Sequence, residues 1–193
     1  MTRKEEIVHT CMDIFSESGA QGLTMKAIAE RVNITEPAIY RHFQNKQAMI
    51  IAMIDKIREE IFRRVDDIVG QPLSDVEKLQ KIFSYHLTYL KKKKAITLEL
   101  LSESFFHTHP EVRWHLYSLM TEYHKRILGI LSKGIARGEI SRRVRPEAAA
   151  ILFLGALQHL LTIFKVEGDR HKIDSLSEEV FGQFKIILEG GNP

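Results

Sequence analysis

The sequence predicts an all-α fold: an N-terminal three-helix domain containing a helix-turn-helix, followed by a larger helical bundle, about nine helices in all. Two observations carry this. Apolar residues recur at intervals of three and four along most of the chain, and the period-two alternation of strands is absent. Capping residues, prolines and glycines then punctuate that pattern where helices should start and stop. The composition agrees, because 44% apolar and 27% charged residues over 193 positions are ordinary for a globular protein and argue against wholesale disorder.

The elements follow in order. Ile7, Cys11, Ile14 and Phe15 form the stripe of a first helix, which Gly19 ends in a left-handed conformation. Thr24 caps a second helix running to about Val32, with Met25, Ile28, Ala29 and Val32 inward, and Asn33-Ile34 makes a tight turn. Thr35 caps a very short third helix that holds Pro37 in its first turn and closes at Phe43. Asn45 caps a fourth from Lys46 to about Val69, which Gly70-Gln71-Pro72 stops. Ser74-Asp75-Val76-Glu77 is a capping box, opening a fifth helix through Phe83, Leu87 and Leu90 to a lysine run, Lys91 to Lys94, read as a solvated helix end. A weaker helix covers about 95–106. His109-Pro110-Glu111 opens a long one ending near Gly134 or Gly138, Arg145-Pro146-Glu147 opens a strongly apolar one, and the last runs from about Ser175 to Leu188.

Charge and cysteine content narrow the function classes. With 28 Lys and Arg against 25 Asp and Glu the net charge is only +3, too small to name a nucleic-acid partner by itself. The single cysteine, Cys11, excludes an intrachain disulfide and a thiolate zinc cluster. The N-terminal residues carry acids and lack a signal-peptide apolar core, so a cytoplasmic location is expected. Ala148 to Val166 is about as long and apolar as a bilayer span needs. Gln158 and His159 near its middle favour instead a helix buried on both sides, by its own core and by a partner subunit.

Two short helices joined by a tight turn, Thr24–Val32 and Thr35–Phe43, form a helix-turn-helix, whose second helix enters the DNA major groove. Gly22-Leu23-Thr24-Met25-Lys26-Ala27-Ile28-Ala29-Glu30-Arg31-Val32-Asn33-Ile34-Thr35, followed by Ala38-Ile39-Tyr40-Arg41-His42-Phe43-Gln44-Asn45-Lys46, resembles the TetR family of bacterial transcriptional regulators. The resemblance is strong over about the first 50 residues and continues beyond them only in helix number, order and length. Asn33 stands where that family often has glycine, and asparagine also tolerates positive φ. The DNA-contact set is Thr24, Lys26, Thr35, Glu36, Pro37, Ala38, Tyr40, Arg41, His42 and Lys46. Tyr40 offers a ring to a thymine methyl or a hydroxyl to phosphate, and Arg41 reaches a guanine edge or a phosphate. His42 and Lys46 resemble the family's backbone-contact positions. Glu36 is odd company for phosphate: it either excludes wrong sequences or accepts from a cytosine amino group.

The resemblance implies that residues 1–46 bind DNA and residues 47–193 bind a small-molecule effector and dimerise, giving a homodimeric repressor on a palindromic operator. No cofactor is implied. For the dimer, Ala149, Leu152, Gly155, Leu160 and Phe164 exceed what one helix face can bury, and Phe181 and Phe184 offer a second stripe. Phe83, His86, Phe105, Phe106, Trp114, Tyr117 and Tyr123 are the candidate pocket, with a plain core as the alternative reading. Two further functions stay open. One is a nucleoid-associated or cell-division regulator on the same fold, working through a protein partner. The other is an all-helical metalloenzyme using Glu99, Glu103 and His107, which share a helical face but lack the Glu-x-x-His pairs of di-metal bundles.

Overall fold

A computed structural model describes residues 2–93, 100, 110–168 and 170–191 of the chain. Among them are eight helices and no strand: α1 (Arg3–Gly22), α2 (Met25–Val32), α3 (Glu36–Tyr40), α4 (Lys46–Val69), α5 (Asp75–Lys92), α6 (Pro110–Arg137), α7 (Pro146–Glu167) and α8 (Arg170–Leu188). The weak helix expected over about 95–106 lies, apart from the helical and buried Leu100, outside the described residues. Two compact units emerge: Met1–Glu60 with Lys92–Leu119, and Ile61–Lys91 with Met120–Pro193.

In the first unit the inward stripe of α1 (Ile7, Val8, Cys11, Met12, Ile14, Phe15) joins Ile28, Val32, Ile39, Phe43, Met49, Ile50 and Met53 in one core. Cys11 Sγ lies 3.9 Å from Met49 Sδ, and burial pushes its thiol pKa up to about 12, so it behaves as a small hydrophobe. Gly19 does take a left-handed φ of 65°, but as a kink after which the helix resumes for a last turn to Gly22. Within this unit Arg58 ties α4 to α6 by donating to the carbonyl of His115 at 3.3 Å, and it pairs with Asp55 of its own helix at 3.2 Å.

The second unit is organised by an aromatic cluster. Phe83 of α5 packs edge-on to Phe153 of α7 at 5.3 Å and against Phe181 of α8 at 5.5 Å, while Phe184 lies 5.6 Å from Phe153. The capping box opening α5 forms as expected, with the Ser74 N–H donating to Glu77 at 2.8 Å and the Glu77 N–H to Ser74 Oγ at 3.2 Å. Beside it the buried Asp75 accepts from Arg137 at 3.3 Å and pairs with the buried Lys78 at 3.4 Å. That arrangement keeps a carboxylate inside only because both oxygens are answered by cations.

The lysine run departs from expectation at Lys91. Its ammonium bonds to Asp174 of α8 and is largely covered, so this residue is a tether and not a solvated helix end. The final helix also begins at Arg170, ahead of the expected Ser175. Gly168 takes φ 73° as the C-cap of α7, and the fully buried Ile173 anchors the first turn of α8. One buried apolar residue in that stretch is too thin a periodic signal to have marked a helix.

Candidate nucleic-acid interface

The helix-turn-helix is built from ordinary local chemistry. Thr24 is extended at the N-cap of α2 and its hydroxyl accepts from the Ala27 N–H at 3.1 Å. Asn33 takes the left-handed conformation (φ 56°, ψ 51°), and the Ile34 N–H reaches back to the Ala29 carbonyl at 3.0 Å, the six-to-one bond that ends a helix tightly. Ala29 is buried at that turn, where a longer side chain would hold the two helices apart.

α3 then presents almost all of its surface outward. Ile39 is fully buried and Ala38 half-buried, whereas Thr35, Glu36, Pro37, Tyr40, Arg41 and His42 are exposed, Tyr40 at 51%. Two expectations change here. Thr35 occupies the N-cap position, but its side chain makes no capping bond; its backbone carbonyl accepts instead, from Ala38 at 2.9 Å and Ile39 at 3.3 Å. The hydroxyl therefore stays available to an outside acceptor or phosphate. The helix also closes at Tyr40, and the chain reaches Phe43 through tighter turns, His42 N–H to the Ile39 carbonyl at 2.9 Å.

The charged groups divide into committed and outward ones. Arg31 is paired with Glu17 at 2.9 Å, and the Lys46 ammonium donates to the carbonyl of Ala20 at the end of α1. Lys46 thus fixes α4 against α1 in addition to any contact it makes outside. Lys26 and Arg41 are exposed on α2 and just after α3, and Thr24 is exposed between them and α1. Lys4 was missed by sequence reasoning. A capping box between Thr2 and Glu5 starts α1, and one residue inside it the Lys4 ammonium lies 5.4 Å from the centre of the Phe43 ring, beside the end of the recognition segment. The Thr2-x-x-Glu5 pattern was the signal that α1 begins this early.

Elsewhere the candidate residues are placed differently. Of the interface set, Ala149, Leu160, Phe181 and Phe184 are buried in the protomer's own core, Phe164 is half-buried, and Leu152 and Gly155 are exposed. The exposed side of α7 carries Ile151, Leu152, Gly155, His159, Thr162 and Val166, and α8 adds Gly182, Ile186 and Ile187. α7 is long and apolar enough to cross a membrane, with mean hydropathy 1.8 over its most apolar window, of which 33% is buried. Of the pocket set, Phe83 belongs to the aromatic core, and His86 and Tyr123 stack on one another. Trp114 and Tyr117 stand exposed at 65% and 61%, in edge contact at 6.1 Å, while Phe105 and Phe106 lie outside the described residues. Glu99, Glu103 and His107 lie outside them too, and among the described residues no group of three metal-ligating side chains occurs.

Comparison with known proteins gives two family matches: bacterial regulatory proteins, tetR family, over residues 7–53, and tetracyclin repressor-like, C-terminal domain, over residues 72–182. The fatty acid metabolism regulator protein of Bacillus subtilis is 21% identical over 185 residues, covering 96% of this chain and 93% of that protein. Nucleoid occlusion factor SlmA of Alteromonas mediterranea is 26% identical over 129 residues, covering 67% of this chain and 66% of that one. Among solved structures, the transcriptional regulator FadR from Bacillus subtilis in complex with stearoyl-CoA superposes with a TM-score of 0.82 at 22% identity, covering 98% of this chain and 100% of that one.

Proposed function

The chain belongs to the TetR family of bacterial regulatory proteins, and from that premise we propose that its α2–turn–α3 face reads a palindromic operator as one half of a homodimeric repressor. The protein is a DNA-binding transcriptional regulator. The observation that carries the site assignment is the outward set Thr35, Glu36, Pro37, Tyr40 and Arg41 around the single buried anchor Ile39. A five-residue helix held by one core residue presents its remaining side chains to a groove without unfolding cost. We assign residues 1–46 to DNA contact and residues 47–193 to effector binding and dimerisation. Two copies of the face, about one DNA turn apart, match two half-sites.

The dimer surface in this reading is the uncovered side of α7 and α8, with Ile151, Leu152, Gly155, Ile186 and Ile187 at its centre. An apolar helix with only a third of its most apolar window buried in its own chain needs a second helix pair to bury the rest. The effector is an acyl-chain compound, a class suggested by the stearoyl-CoA bound in the similar regulator. It acts by population shift, favouring a spacing of recognition helices that no longer fits the half-sites, with no bond made or broken. A regulator of this kind works in the cytoplasm, where the chromosome is.

The test is fluorescence anisotropy on duplexes from the DNA flanking its own gene. Tight binding to an inverted repeat, weakening steeply with salt and relieved by stearoyl-CoA, is the expected result. Salt-insensitive or undetectable binding overturns the operator assignment. The SlmA similarity supports a second reading, a nucleoid-associated or cell-division regulator acting through a protein partner. Chromatin immunoprecipitation separates the two: dozens of scattered sites support the second, one or two promoter sites the first.

A further inference from the structure

The inner stripe of α5 is sealed at Leu79, Ile82, Phe83 and Leu87, all at 2% exposure or less, yet His86 on the same side keeps reachable surface. Its ring lies flat on Tyr123 of α6, centroids 5.0 Å apart and planes within 3°, with Nδ1 at 2.8 Å from the tyrosine hydroxyl. Tyr123 is buried and its ring centre lies 6.1 Å from that of Phe62, whose ring carries the Arg126 guanidinium at 3.9 Å, a cation already paired with Asp66 and Glu122.

The hydrogen-bond arithmetic fixes the tautomer. A tyrosine hydroxyl has one proton to give, and among the described residues His86 Nδ1 is its acceptor. The reverse arrangement leaves a buried O–H with nowhere to donate. The hydroxyl therefore donates to Nδ1, the ring proton sits on Nε2, and Nε2 has no partner among the described residues. Burial pushes the imidazole pKa down to about 4, so this donor is uncharged at neutral pH.

Resting on the acyl-effector reading above, we propose that His86 Nε2–H, held in place by Tyr123, donates to the carbonyl oxygen at the head of a long-chain acyl thioester. An uncharged donor among rings suits a neutral carbonyl; a free carboxylate needs a cation or several donors to offset its desolvation. His86 is the recognition group and Tyr123 a positioning residue that locks the tautomer.

Calorimetric titration of the full-length protein tests this with three probes: stearoyl-CoA, its thioether analogue S-octadecyl-CoA, which lacks the carbonyl, and stearate. Wild type is expected to bind the thioester roughly five- to ten-fold tighter than the thioether, the worth of one neutral hydrogen bond. His86→Phe and Tyr123→Phe collapse that ratio toward one, and His86→Gln, which keeps a donor, restores part of it. Equal wild-type binding of thioester and thioether overturns the proposal while the acyl-CoA effector stands. Binding of neither CoA compound overturns both, and binding of stearate alone shows that a carboxylate is read instead. The wild-type comparison needs no variant to fold.

Discussion

Tyr40 and Lys46 were both sequence candidates for DNA contact, yet their environments separate them. Tyr40 is half exposed and makes no hydrogen bond or ring contact among the described residues, so Tyr40→Ala should cost about 1–3 kcal/mol of operator affinity, roughly ten- to hundred-fold, with an unchanged melting temperature. Lys46 also donates to the Ala20 carbonyl, so Lys46→Ala should lower both operator affinity and stability, the latter by about 1 kcal/mol. Anisotropy and thermal melts on the same preparations check both. His86 sets a pH dependence. Its pKa is about 4 when folded against an ordinary 6.5, so the unfolded chain takes up the proton first and stability falls as pH drops from about 6.5 towards 4. The loss is at most about 3 kcal/mol, reduced because the ring is partly exposed. Urea midpoints at pH 7 and pH 4.5 should show it in wild type and less of it in His86→Phe. The aromatic candidates were legible as residue types but not as roles: Phe83 is core, Trp114 is surface, and only contacts distinguish them.

At the scale of the element, α6 carries two glycines with opposite expectations. A Cβ at Gly134 would stand 2.6 Å from Ile140 Cδ1 and 3.2 Å from Asp75 Cβ, where the start of α5 crosses the end of α6. Gly134→Ala should destabilise by about 1–3 kcal/mol through overpacking. Gly129 meets nothing within 4 Å, so Gly129→Ala should stabilise by about 0.5–1 kcal/mol through helix propensity. Denaturant unfolding of the two variants checks the signs. Most helix limits were readable because they are local: Thr24, Asn33, Asn45 and the Ser74 box each close an end with nearby atoms. The start of α8 was not, since the burial of Ile173 in its first turn leaves no periodic signal in the local sequence.

For the whole molecule, the exposed strip on α7 and α8 makes a prediction that separates assembly from folding. Leu152→Asp, at 54% exposure, should give a folded monomer by sedimentation with operator affinity reduced at least about 100-fold, because one recognition helix engages one half-site. Leu160→Asp, at 2% exposure, should unfold the chain and so cannot report on the interface. The modest net charge of +3 acquires meaning at this scale as well. With Arg31 and Lys46 occupied inside the protomer, the outward cations of the candidate face are chiefly Lys4, Lys26 and Arg41, which implies weak nonspecific binding and reliance on fitted contacts. By itself the sequence determined the all-helical class, the helix-turn-helix and the family likeness, because these rest on periodicity, capping and turn chemistry that act over a few residues. Only the tertiary structure decided which apolar residues of α7 and α8 fill the protomer and which remain uncovered, that Lys91 is a tether, and that His86 pairs with Tyr123. Those outcomes depend on which side of each helix meets another, and periodicity states that a helix has a buried side without saying what lies against it.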